Sequence, residues 1–127
     1  MHEVQKALLE QGAPDPKEEK DVFRAVILSL AMCYRNSIRE IETLTGQSFT
    51  SINIVGGGSQ NITLNRLTSK VTGLPVFAGP TEGTALGNLI AQMITGEELP
   101  DLQAARHLIA ESFAIQKYKE LNTEGTP

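Results

Sequence analysis

Three consecutive glycines, Gly56-Gly57-Gly58, separate a β-branched run, Ile52-Asn53-Ile54-Val55, from a segment with helical spacing. No other feature constrains the chain as tightly. A strand must end there, a helix must begin within a few residues, and the link has no side chains to shield it. Glycines at such a point let backbone approach a ligand with no Cβ in the way, and a helix start offers unpaired N–H groups to an anion. Ligands of α/β sheets gather beyond the carboxyl ends of strands. Ser59 is placed to cap the following helix, with Gln60 and Asn61 in its first turn. From spacing alone two readings stay open: a tight turn that binds nothing, or the floor of a ligand site. The loop lacks both the third spaced glycine of a dinucleotide fingerprint and the Gly-Lys-Ser/Thr of a P-loop.

The rest of the chain arranges itself around this turn. Residues 3–10 suit a short helix. Asp15-Pro16-Lys17-Glu18 reads as a helix start, with Asp15 as cap and Glu18 completing a capping box. Phe23, Ile27, Leu30, Tyr34, Ile38 and Ile41 then recur at helical spacing, widened by Val26 and Leu44, until Gly46 offers a left-handed stop. One apolar stripe on so long a helix (15–46) predicts that it lies across a sheet. After the turn, Leu64, Leu67 and Val71 predict a helix ending at Gly73, and Pro75-Val76-Phe77-Ala78 a second strand. Residues 82–95 predict a helix stopped by Gly96, and residues 100–121 further helix carrying Leu102, Ala105, Leu108, Ile109 and Phe113. Strand, helix, strand, helix is a βαβ unit with a helix added over 51–96. Only two convincing strands emerge, and two parallel strands make a marginal sheet.

A second candidate segment is Ala78-Gly79-Pro80-Thr81-Glu82-Gly83-Thr84-Ala85-Leu86-Gly87-Asn88. Thr81 is placed to cap its helix, and Glu82 suits the positive helix end. Gly83 and Gly87 fall on one face with Ala91, which predicts close packing on a helix or sheet rather than ligand contact.

Composition excludes several functions. The 127 residues suit one domain, and the net charge of −4 without any basic cluster argues against nucleic acid or an anionic membrane as partner. The longest apolar stretch, residues 25–33, is too short to span a bilayer and no signal pattern precedes it, so the cytoplasm is expected. Cys33, the only cysteine, is expected as a small buried apolar group on its helix. His2 and His107 have no metal-ligand spacing, and Asp15, Asp21 and Asp101 form no general-base arrangement.

The joined pattern is nonetheless distinctive. Residues 52–61, followed by Leu64-Asn65-Arg66-Leu67, resemble the adenosine-binding segment of the FGGY carbohydrate kinases. Gly73-Leu74-Pro75-Val76 and residues 78–88 resemble the downstream segment in the form typical of the branch that phosphorylates rhamnulose. Leu28-Ser29-Leu30-Ala31 and Leu44-Thr45-Gly46 extend the likeness over most of residues 18–96. The resemblance implies two actin-like (ribonuclease H-like) domains with MgATP in the cleft between them, and a γ-phosphoryl transfer from ATP to a sugar hydroxyl. It implies that Gly57 and Gly58 lie against the adenosine, that Asn61 hydrogen-bonds its base or ribose, and that Gly56 and Ser59 shape the loop.

The chain contains no Asp-x-Gly-Thr/Ser phosphate loop and nothing resembling the sugar-contact region or the antiparallel meander that opens the family's C-terminal domain. The expectation is a C-terminal fragment, with a partial actin-like α/β fold, that binds ATP or ADP. It would be catalytically inert, since the catalytic base and the phosphate loop are absent, and the sugar would be held mainly by the other domain. The alternative is a stand-alone nucleotide-binding or assembly module without catalysis. A bare strand edge over 51–55 would further favour a homodimer.

Overall fold

A computed structural model describes residues 3, 6, 10 and 18–119. It shows four helices and a small mixed sheet in the order α1 (Glu19–Thr45), β1 (Ile52–Ile54), a 3₁₀ turn (Gly57–Gln60), α2 (Ile62–Thr72), β2 (Val76–Ala78), α3 (Gly83–Thr95), α4 (Leu102–Ser112) and β3 (Gln116–Tyr118). Glu3, Lys6 and Glu10 are helical, in keeping with a helix over 3–10. The proposed cap and capping-box start at Asp15 and Pro16 lie outside the described residues. Within them, Glu18 is the extended residue before α1 and makes no side-chain cap.

α1 ends where the sequence indicates. Gly46 takes a left-handed conformation (φ 66°, ψ 12°) and donates its N–H to Glu42 O at 2.9 Å, which closes the last turn without a Cβ penalty. α2 ends in the same manner at Gly73 (φ 73°), whose N–H reaches Ser69 O at 2.9 Å.

Three expectations need correction. First, the sheet has three strands, in the order β1-β2-β3. β1 and β2 run parallel with Ile52, Asn53 and Ile54 opposite Val76, Phe77 and Ala78. β3 is antiparallel to β2, with Tyr118, Lys117 and Gln116 opposite the same three residues. Helix was expected through residue 121, but α4 stops at Ser112. Gln116-Lys117-Tyr118 has no β-branched run to announce a strand. It is held by the ladder and by the Lys117 ammonium, 5.3 Å from the centre of the Phe77 ring.

Second, α1 packs chiefly against α2 rather than across the sheet. The core there consists of Ile27, Ala31 and Leu64, with Leu67 and Val71 against them. Ala31 is fully buried, so the helices approach closely at its methyl. The buried residues of α1 are therefore Val22, Ile27 and Ala31, with Ile38 half-buried, while Phe23, Leu30, Tyr34, Ile41 and Leu44 are exposed. The stripe in the sequence is broader than the face α2 covers.

Third, Cys33 is exposed rather than buried. His107 is exposed as expected, and His2 lies outside the described residues.

The α1–α2 contact generates a testable contrast. Ala31→Leu should destabilise the chain by about 1–3 kcal/mol, the usual result of overfilling a packed site. Leu44→Ser, at a residue 85% exposed, should change stability by no more than about 0.5 kcal/mol. Chemical denaturation of both variants measures the difference.

Candidate functional site

Backbone hydrogen bonds join the two glycine-rich segments singled out in the sequence. Gly79 N–H donates to Ile54 O at 2.8 Å, and Gly56 N–H donates to Pro80 O at 3.0 Å. The carboxyl ends of β1 and β2 are thereby tied together, and the chain leaves β1 through Gly56 at φ 79°, ψ −167°. Only glycine occupies that region readily. The Gly79–Pro80 peptide is cis.

Beyond Gly56 the chain makes one 3₁₀ turn before α2. Gly56 O accepts from Ser59 N–H at 3.0 Å and from Ser59 Oγ–H at 2.7 Å. Ser59 is buried and folds back on the turn instead of capping α2. The cap is Asn61, whose Oδ1 accepts from Leu64 N–H at 3.0 Å. Gln60 and Asn61, expected in the first helical turn, therefore precede the helix, because the glycines spend one tight turn first. With Oδ1 engaged by Leu64, Asn61 keeps its Nδ2 amide as an uncommitted donor.

The three glycines differ in their surroundings. A Cβ on Gly56 would lie 3.8 Å from Thr81 O in a conformation side chains rarely adopt, whereas a Cβ on Gly57 or Gly58 would meet nothing within 4 Å. Gly57 and Gly58 are exposed, forming an open ledge at the carboxyl end of β1. A ligand lying on that ledge would touch backbone.

The downstream segment behaves differently. Thr81 does not cap α3; Glu82 is the residue before it and makes no side-chain cap. Gly83 does serve packing, since a Cβ there would come within 3.2 Å of Val55 Cβ. Gly87 has open space where its Cβ would be, and Ala91 is exposed, so close packing holds for only the first of these positions. Asp101, without a role in the sequence reading, caps α4 by accepting from Ala104 N–H at 2.8 Å.

Two hollows flank the turn. One of about 420 Å³ brings Ser59 and Gln60 together with Gly79, Pro80 and Thr81, and with Phe113, Gln116 and Tyr118 from beyond α4. Those last three were missed because β3 was missed. The other, about 450 Å³, lies between α1 and α2 and is apolar apart from Arg24, Arg66 and Thr63. Neither includes Gly57 or Gly58 in its wall. No group of His, Cys, Asp or Glu among the described residues could hold a metal ion. No described helix is long and apolar enough to cross a membrane.

A parallel β-α-β unit with an exposed glycine turn at its carboxyl end makes this an α/β domain. Residues 1–96 match the C-terminal domain of the FGGY family of carbohydrate kinases, and the chain belongs to that family. It is 40% identical over 124 residues to a rhamnulokinase of Halalkalibacterium halodurans, covering 98% of this chain and 27% of the relative. It is 36% identical over 118 residues to one of Ligilactobacillus salivarius (93% and 24%), and 35% identical over 116 residues to one of Klebsiella pneumoniae (91% and 24%). The chain thus spans about a quarter of the length of the curated relatives it matches.

The unlike glycines should respond unlike to substitution. Gly56→Ala should cost about 1–3 kcal/mol through backbone strain, and Asn61→Ala about 0.5–2 kcal/mol through loss of the cap. Gly57→Ala should be nearly neutral. Thermal and denaturant unfolding of the three variants checks the order.

Proposed function

We propose that this chain is the nucleotide-binding portion of an ATP-dependent sugar kinase that phosphorylates rhamnulose. The observation that carries the reading is the open ledge of Gly57 and Gly58 beside the Asn61 amide, in a chain similar to rhamnulokinases throughout its length. Gly57 and Gly58 bring backbone against the adenosine, Asn61 Nδ2 donates to its base or ribose, and Gly56 and Ser59 hold the turn. ATP supplies the phosphoryl group when bound. Mg²⁺ comes to the reading through the nucleotide, and no residue of this chain is assigned to it.

Phosphoryl transfer depends on positioning, on charge stabilisation and on a base that accepts the hydroxyl proton. This chain offers a surface for the nucleoside end and neither of the other two. On this reading the chain alone transfers no phosphate, the sugar is bound by residues it does not contain, and the kinase works in the cytoplasm. The acidic balance and scattered charges favour no nucleic acid or membrane partner.

Calorimetry with ATP tests the site. Half a cleft cannot enclose most of a ligand, so binding should be weaker than about 1 μM, roughly −8 kcal/mol. Gly57→Val should abolish it, since the branched side chain would stand on the ledge without disturbing the fold. Unchanged affinity in that variant would place the ligand elsewhere. A coupled assay with MgATP and rhamnulose should show no turnover above a matched blank; genuine turnover would overturn the division of roles.

The same reading leaves β1 as an edge strand, and an unpaired edge templates pairing with another chain. We propose that the isolated chain dimerises along residues 51–55. Sedimentation should then show a concentration-dependent dimer that Ile54→Lys weakens, whereas a monomer at every concentration would rule it out.

A further inference from the structure

We propose that Asn65 is a positioning residue for the nucleotide ledge, acting through the carbonyl of Ser59; the inference rests on the nucleotide reading above. Asn65 lies on α2, one turn beyond the Asn61 cap, and is fully buried. Its Nδ2 donates to Ser59 O at 2.8 Å. That oxygen belongs to the 3₁₀ turn, and only the nitrogen end of the amide can serve it, which fixes the side chain's orientation.

The turn's other bonds do not hold it in place against the helix. The two from Ser59 to Gly56 O and the one from Asn61 N–H to Gly58 O, at 3.2 Å, close the turn on itself. Gly56 and Pro80 anchor its entrance. Among the described residues, Asn65 is the only side chain from outside the turn that bonds to it. It reaches the turn from α2, at the carbonyl of the residue that follows the exposed Gly57 and Gly58. Without that bond the ledge would be fastened at its two ends and free in the middle.

Asn65 is a poor choice if its role were only to fill the core. Its Oδ1 is buried without a hydrogen-bond partner. A leucine of similar shape would fill the same space with no stranded acceptor, so what the asparagine adds is its bond to Ser59 O. Thr68, three residues along the same helix, supplies the comparison. It is equally buried with an equally stranded Oγ1, yet has no bond to the turn.

The experiment compares Asn65→Leu and Thr68→Val in the full chain by amide hydrogen exchange, by ADP titration and by melting temperature. Asn65→Leu should keep a melting temperature close to wild type, the removal of the stranded Oδ1 offsetting the loss of the donor to Ser59 O. Exchange at Gly58, Ser59 and Gln60 should rise, and ADP affinity should fall, each about tenfold, on the order of one buried hydrogen bond. Thr68→Val should leave exchange and affinity at wild-type values. Wild-type exchange and affinity in Asn65→Leu would overturn the proposal, as would an equal loss of affinity in Thr68→Val.

If Asn65→Leu does not fold, the wild-type Asn65 side-chain amide decides. Slow exchange and a shift on adding ADP are expected, and fast exchange overturns the proposal. If ADP binds the wild type nowhere, the nucleotide reading fails. The exchange data still decide separately whether Asn65 holds the turn.

Discussion

The pair of backbone hydrogen bonds from Gly79 to Ile54 and from Gly56 to Pro80 sets the geometry on which the site depends. Strands of three residues each carry few ladder bonds, so those that extend pairing past the strand ends weigh heavily. They also dictate the exit path. A chain that has just donated to Pro80 must turn away from β2 to reach α2, and a positive φ at Gly56 makes that turn in one residue. The Gly56 carbonyl then receives both bonds from Ser59. The ledge follows from a local constraint and would form whether or not a ligand were bound.

Packing behind the ledge is unusually polar for so small a core. α2 presents Leu64 to α1, but also buries Asn65, Thr68 and Ser69. Ser69 bonds to Leu74 O at 2.9 Å and to Tyr118 O at 3.3 Å, which connects α2 to the end of β3. Each buried polar group without a partner costs about 1–3 kcal/mol, so Asn65 and Thr68 oppose stability through their orphaned oxygens. What offsets them is apolar burial at Ile27, Ala31, Leu64, Val76 and Ile90. α2 thus serves two masters: one flank closes the apolar contact with α1, and the other orders backbone at the glycine turn and the last strand.

Much of this was legible, for definite reasons. Gly46 and Gly73 announce left-handed helix ends because that conformation excludes most other residues, and the β1-α2-β2 unit follows from short apolar runs separated by helical spacing. The family was legible from the joined segments across residues 52–88. Register and partnership were not. β3 is set by its long-range pairing with β2, and Gln116-Lys117-Tyr118 carries no local preference that competes with helix. The face of α1 that is buried depends on where α2 lies, so a stripe from Phe23 to Ile41 could not reveal that Ala31 would be its centre. Asn61 rather than Ser59 caps α2 because the 3₁₀ turn over Gly57–Gln60 takes in Ser59 and Gln60, which simple spacing assigns to the helix start.

The triple glycine itself shows why a motif needs dissecting before it supports a function. Gly56 is required by conformation, and any protein making this exit from a strand would need it. Gly57 and Gly58 are required by neither conformation nor crowding, since side chains there would meet open space. Intramolecular structure accounts for the first and leaves the other two without a reason inside the chain. An exposed glycine pair weakens a turn through added chain entropy in the unfolded state, and the proposed contact with a nucleotide is what would account for it at the carboxyl end of β1. On the proposed reading, Asn61 adds its Nδ2 donors, which suit the acceptor atoms of a base or ribose, while its Oδ1 caps α2. In the proposed site Gly57, Gly58 and the Asn61 amide meet the nucleoside, whereas Gly56 and Ser59 would be needed even if no ligand ever came.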